Sequence, residues 1–341
     1  MGDMSGRSRM GEVGLLVAGV VLGLLAAEGA VRLLGLRPSE TTGYAPVKTN
    51  RRWGGPTNSR GYRDDEHALA KPPGVRRLLS LGDSFAWGAG VDFEDAYPRR
   101  LLRGLARHRH ERWEVINLAR PGMNTVEQAA QLADEGFAYH PDVVLLGYCL
   151  NDSEDENAAE ARRARDWAEL PEVRARRRQR SLLEHSALFE TIRHRLTATI
   201  ENRRRVANYR AQYRSDYPGW IAGRKALAEM GALCRAHDVP FVVAIFPLFG
   251  NPLDDRYPFA AIHEKVARAA CEAGASVVDL LPAYRGLRWD LLVVDGARDE
   301  HPNEIAHRIA QNVILSALDD ILPPSRRARG GREGGAADPS P

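Results

Sequence analysis

Cysteine is scarce in this chain and carries no pattern. The three present among 341 residues, Cys149, Cys234 and Cys271, are widely spaced, odd in number and never form a C-x-x-C pair. That arithmetic argues against a disulfide framework and against a cysteine-held zinc site. Cys149 lies inside an apolar run and reads as core. An excess of one charge is missing too: 48 lysines and arginines face 45 aspartates and glutamates, and the net +3 comes mostly from local arginine runs. No nucleic-acid role follows from such a balance. With 44% hydrophobic, 27% charged and 7% aromatic residues, the chain as a whole is neither disordered nor collagen-like. Its length suffices for a sizeable core, and one large domain carrying an insertion fits better than two separate domains.

Charge is also absent from one stretch near the start. After Arg7 and Arg9, "VGLLVAGVVLGLLAA" runs from Val13 to Ala27, followed by Glu28, Arg32 and further apolar sequence to Leu36. The clean run fits a signal-peptide core, and the longer Val13 to Leu36 stretch can span a bilayer with Glu28 near the far interface. No small-x-small cleavage site precedes a polar mature start. The expectation is therefore an uncleaved membrane anchor over residues 1–36, with a cleaved signal peptide as the alternative. Arginines ahead of the segment favour a cytoplasmic N-terminus and place the rest of the chain in the periplasm or outside the cell. A buried helix of a soluble protein would show a polar periodicity that Val13 to Ala27 lacks.

Residues 37–73 are rich in Pro, Gly, Thr and Asn and read as an extended connector, with "TNSRGYRDDE" in its middle. Residues 321–341 read as a disordered tail. Between these flanks, over residues 74–320, short apolar runs alternate with helical patterns. The expected strands are Val75 to Leu81, Glu114 to Leu118, Val143 to Gly147, Pro240 to Phe246 and Ser276 to Asp279. The expected helices are Asp95 to Arg107, Val126 to Tyr139, Arg224 to His237, Phe259 to Ala273 and Glu304 to Leu318. Apolar strands separated by helices imply a mostly parallel five-stranded sheet covered on both faces, a three-layer α/β/α domain. From about residue 153 to 217 no strand pattern occurs, and "EARRARDWAELPEVRARRRQRS" is dense in arginine. The plain reading is a solvated helical insertion; a sharper one is a cap that also touches anionic lipid headgroups or an anionic glycan through Arg176, Arg177 and Arg178.

In an open parallel sheet, ligands bind at the carboxyl ends of the strands, and the chemistry-bearing residues fall at those ends. "GDSF" follows the first strand, where Asp83 or Ser84 can cap a helix or Ser84 can act as a nucleophile. "INLARPGMNT" ends the second: Gly122 allows a close backbone approach or a positive φ, and Asn124 or Thr125 can cap the next helix. "GYCLND" ends the third, where Asn151 and Asp152 make either a turn or, through the Asn151 amide, a donor to a developing oxyanion. Near the C-terminus, "VVDGARDEHPNEIAHRIA" offers His301, the side-chain type best suited to accept a proton near neutral pH. Asp299 is the expected carboxylate partner of that ring, with Asp295 the alternative.

Taken together, "GDSF" at Gly82 to Phe85, Gly122, "GYCLND" at Gly147 to Asp152 and "DEHPN" at Asp299 to Asn303 resemble the SGNH, or GDSL-type, hydrolase family, in the family's order and over roughly Val75 to Leu318. The anchor and "NSRGYRD" also resemble bacterial membrane-anchored members. The resemblance implies the family's flavodoxin-like fold, Ser84 as nucleophile, His301 as general base and Asp299 as the residue orienting His301. It also implies an oxyanion hole from the backbone N–H groups of Ser84 and Gly122 and the side-chain amide of Asn151. The family often places its aspartate three residues before the histidine, where this chain has Arg298; a two-residue spacing also occurs. The implied activity is a serine esterase acting through an acyl-serine intermediate, without metal or cofactor, on an acylated small molecule, lipid or cell-envelope glycan. Alternatives are an O-acyltransferase using the same triad, and a non-catalytic glycan-binding or assembly protein of the same fold.

Overall fold

The computed structural model of the chain describes residues 5–34, 56–109, 111–153, 186–295 and 299–322. Most of the expected connector, the arginine-rich part of the expected insertion with Arg176 to Arg178, and the expected tail from residue 323 lie outside the described residues. The chain divides into two units, residues 1–42 with 166–205, and residues 43–165 with 206–341.

In the first unit, helix α1 (Ser5–Leu33) contains a stretch, Glu12–Leu33, of mean hydropathy 2.1, long and apolar enough to cross a membrane. Apart from the buried Val31, the leucines and valines of this stretch are exposed. Near its end, Glu28 accepts from Arg32 Nε at 2.6 Å. The same carboxylate accepts from the Ala187 and Leu188 backbone N–H groups and from Ser186 Oγ, each at 2.8 Å. Those N–H groups open helix α5 (Ala187–Gln212), where first-turn donors have no intrahelical acceptor and a carboxylate meets both them and the helix dipole.

The second unit holds a five-stranded sheet of β1 (Val75–Gly82), β2 (Arg112–Asn117), β3 (Val143–Tyr148), β4 (Phe241–Ile245) and β5 (Ser276–Asp279). The order is β2-β1-β3-β4-β5 and every pairing is parallel. Strands β3 and β4 are buried at every position, as strands must be when helices cover both faces. Helices α3 (Tyr97–His108) and α8 (Glu304–Ile321) pack together on one face. On the other lie α4 (Thr125–Asp134), α6 (Pro218–Ala236) and α7 (Ala260–Glu272). This is the expected three-layer α/β/α architecture.

Two features differ from the sequence pattern. Helix α6 begins at Pro218 rather than Arg224; proline suits the first turn, while Gly219 and Gly223 weaken the helical signal there. His301, in a stretch with no expected strand, stands on β7 (Asp299–Pro302), paired antiparallel with β6 (Val293–Asp295). The order also creates a switch point. The chain leaves β1 toward β2 on one side and leaves β3 toward β4 on the other, opening a crevice at the carboxyl ends of β1 and β3.

Candidate active site

Ser84 stands in that crevice because the end of β1 is built for a tight exit. A Cβ on Gly82 would lie 2.7 Å from Ala86 Cβ and 3.0 Å from the Gly147 carbonyl oxygen, so only glycine lets the following turn fold back against β3. Asp83 then caps the one-turn helix α2 (Ser84–Trp87), its Oδ1 accepting from the Phe85 N–H at 2.9 Å. The cap is therefore Asp83, and the Ser84 hydroxyl is left for other partners.

His301 Nε2 lies 2.9 Å from Ser84 Oγ, and His301 Nδ1 lies 2.5 Å from Asp299 Oδ1. The same Asp299 oxygen accepts from the His301 backbone N–H at 3.2 Å. A carboxylate only accepts, so Nδ1 carries the ring proton and Nε2 is the acceptor for the Ser84 hydroxyl. Of the two candidate carboxylates, Asp299 is the one at this distance from Nδ1; Asp295 stands opposite it in the β6–β7 register. Phe85 packs edge-on against the His301 ring, with centroids 5.7 Å apart, and is backed by Phe246 and Phe249. Ser84 and Asp299 are both buried and His301 is partly exposed, so the hydroxyl and ring meet at the edge of the core.

Asn151 occupies a 3-10 turn, Leu150–Ser153, directly after β3. Its Nδ2 donates to Asp83 Oδ2 at 3.1 Å, and the Ser84 hydroxyl lies 3.4 Å from that same oxygen. One N–H of the amide is thus held by Asp83, and the second is directed elsewhere. Gly122 takes φ +83°, a conformation that favours glycine, in a loop tied to the turn before Ser84 by the Arg120 N–H donating to Gly82 O at 3.3 Å. The cap of α4 is Asn124, within a full capping box with Glu127; Thr125 is buried and its hydroxyl lies 3.4 Å from Asp152 O.

The neighbouring reactive groups have chemistry that keeps them out of the way. Burial pushes the Cys149 thiol well above its ordinary range, which suppresses the thiolate. Burial, helped by the charges of Arg100 and Arg63, pushes His307 down to about 3, and its Nδ1 already accepts from the Tyr97 N–H at 3.2 Å. No group of three or more His, Cys, Asp and Glu side chains suited to a metal ion occurs among the described residues. Sequence reasoning did not single out Asn117 at the end of β2, whose Nδ2 donates to the Ala86 carbonyl of α2 at 3.0 Å. Its only signal was its position at a strand's carboxyl end.

A hydroxyl bonded to an imidazole, itself bonded to a carboxylate, can pass its proton to the ring as it attacks a carbonyl. The profile of the GDSL-like Lipase/Acylhydrolase family matches residues 80–309. No curated protein matches the chain. Similar solved structures include TesA, 17% identical over 72% of this chain and 100% of that one, with a TM-score of 0.42. A lipase/acylhydrolase from Enterococcus faecalis is 15% identical over 74% of this chain and 99% of its own, with a TM-score of 0.42. A catalytic mutant of Axe2, an acetylxylan esterase from Geobacillus stearothermophilus, is 17% identical over 71% and 94%, with a TM-score of 0.43.

Proposed function

Because the chain belongs to the GDSL-like lipase/acylhydrolase family and is a carboxylic ester hydrolase, we propose that it cleaves its ester through an acyl-enzyme on Ser84. The observation that carries this reading is the unbroken chain from Ser84 Oγ to His301 Nε2 at 2.9 Å and from Nδ1 to Asp299 at 2.5 Å. Ser84 Oγ attacks the ester carbonyl carbon while His301 Nε2 takes the hydroxyl proton, and Asp299 holds the tautomer and stabilises the imidazolium. The carbonyl oxygen becomes an oxyanion facing the Ser84 and Gly122 N–H groups and the free N–H of Asn151. As the intermediate collapses, the alkoxide leaves with the proton from Nε2. Water, activated by the same nitrogen, then releases the acid and restores Ser84.

The substrate is an ester of the cell envelope, on a glycan or a lipid, and the catalytic unit works outside the cytoplasm on a retained N-terminal anchor. Residues 74–320 form the hydrolase domain, with an insertion after the third strand. Supporting the anchor are the 22-residue apolar stretch Glu12–Leu33, the arginines ahead of it and the contact of Glu28, inside that stretch, with Ser186 to Leu188. The test uses the purified chain in detergent micelles with a short-chain aryl ester, beside Ser84→Ala. Wild-type turnover at least about 10³-fold above the variant is expected. Equal, negligible rates in both would overturn the assignment. Adding a sugar acceptor and analysing products separates hydrolysis from transfer of the acyl group.

A further inference from the structure

Arg63 comes from the Gly- and Asn-containing stretch ahead of β1, yet it is only 3% exposed. Its Nη1 donates to Trp87 O at 3.1 Å and to Gly88 O at 2.5 Å, and its Nη2 donates to Val91 O at 2.7 Å. The Trp87 and Gly88 carbonyls close α2, the one-turn helix that begins at Ser84, and Val91 O lies in the chain that leaves it. So short a helix has few intrahelical donors for its carboxyl end, and buried carbonyls must then be met from outside. The accounting closes. Ser84 O accepts from the Gly88 and Ala89 N–H groups, and Phe85 O accepts from Gly88 N–H. Ala86 O accepts from Asn117, and Trp87 O and Gly88 O accept from Arg63.

The next residue serves the same helix by a second route. Asp64 Oδ2 accepts from the Asn117 N–H at 2.8 Å and lies 3.1 Å from His67 Nε2, and Asn117 in turn holds Ala86 O. The fit around Arg63 is close: a Cβ on Gly88 would stand 3.0 Å from its Nη1. A planar fork reaches carbonyls in several directions at once, which an ammonium on a flexible stem does not. A cation at a helix carboxyl end also complements the dipole, and a single turn has little stability of its own.

We propose that Arg63 is a positioning residue of the active site: its guanidinium clamps the carboxyl end of α2 and thereby fixes the Ser84 hydroxyl against His301 Nε2. This rests on Ser84 being the nucleophile. Misplacing a reacting group by about 1 Å can cost on the order of 10²-fold in rate, so the clamp bears on turnover more than on substrate affinity.

The experiment compares the full chain with Arg63→Met and Arg63→Lys in detergent micelles. It measures kcat and KM on an aryl ester, the rate at which a fluorophosphonate modifies Ser84, and thermal unfolding, with rates normalised to the titre of labelled sites. Arg63→Met is expected to lower kcat and the Ser84 labelling rate together by about 10- to 100-fold, with KM changing less than about threefold. Arg63→Lys is expected to restore only part of the loss. Normalised rates within about twofold of wild type in both variants would overturn the proposal and leave Ser84 as nucleophile. Labelling of the wild type at a residue other than Ser84 would remove the catalytic assignment and this proposal with it. Where Arg63→Met does not fold, Arg63→Lys decides: a kcat loss at unchanged unfolding temperature supports the clamp, and wild-type kcat overturns it.

Discussion

Arg63 and Arg77 both bury a guanidinium in the same domain, and both direct it at backbone carbonyls, yet they serve opposite edges of the sheet. Arg77, on β1, is fully buried and donates to the carbonyls of Ala68, Leu69, Ala70 and Tyr139, at 2.7 to 3.4 Å, while its Nε pairs with Glu114 at 2.8 Å. Those carbonyls belong to the chain entering β1 and to the turn before β3, at the amino edge. Arg63 holds carbonyls at the carboxyl edge, at the end of the turn that carries Ser84. The difference teaches that the effect of a buried cation is set by what the restrained backbone carries at its other end. The expectation is that its loss lowers stability at the amino edge and lowers rate at the carboxyl edge.

The largest test of that division is at Asn151, a carboxyl-edge side chain. Asn151→Ala should lower kcat by about 10²- to 10³-fold, near 2.7–4 kcal/mol of barrier, with little change in the unfolding midpoint. Steady-state kinetics beside urea titration check it; a stability loss with unchanged kcat would break the division. Arg77→Met should do the reverse. Leaving Glu114 and several carbonyls without their donor costs about 3 kcal/mol, read as a lower urea midpoint, while the folded fraction keeps its wild-type kcat. A fall in kcat comparable to that of Arg63→Met would erase the contrast.

The smallest effect concerns His307. Its folded pKa lies at about 3, below the ordinary value of 6.5, so between these values the unfolded chain binds more protons than the native one. Stability from this group is therefore full above about pH 6.5 and declines as pH falls toward 3, by at most about 1.4 kcal/mol per pH unit. His307→Gln should flatten that dependence in urea titrations at pH 4 to 7. The charge of Arg63 helps hold this pKa down, so Arg63→Met should raise the His307 titration seen by NMR and Arg77→Met should leave it in place.

Much of the sheet was readable because its five strands are short apolar runs ended by turn residues, and the order of motifs then put Ser84, Asn151 and His301 at strand ends. The β6–β7 pair was not readable: "VVDGARDEHP" is brief, charged and lacks the alternation of a half-buried strand. Nor was Arg63, since an arginine among Gly, Asn and Ser reads as solvated, and its burial depends on carbonyls supplied from residues 87 to 91. Within the described part of the stretch read as an extended connector, Tyr62, Arg63 and Asp64 are buried. Asp83 was legible as a cap but not as the acceptor of the Asn151 amide, because that contact joins two separate strand ends.

The placement of His301 on a strand has one more consequence. Asp295 pairs with Asp299 but Val293 pairs with Pro302, so β7 carries one extra residue, and within this bulged strand the Asp299 carboxylate accepts from both the ring and the backbone N–H of His301, a pair whose internal geometry belongs to β7 itself. A shift of β7 would therefore carry Asp299 and His301 together and change their shared approach to Ser84 Oγ while leaving the bond between them intact.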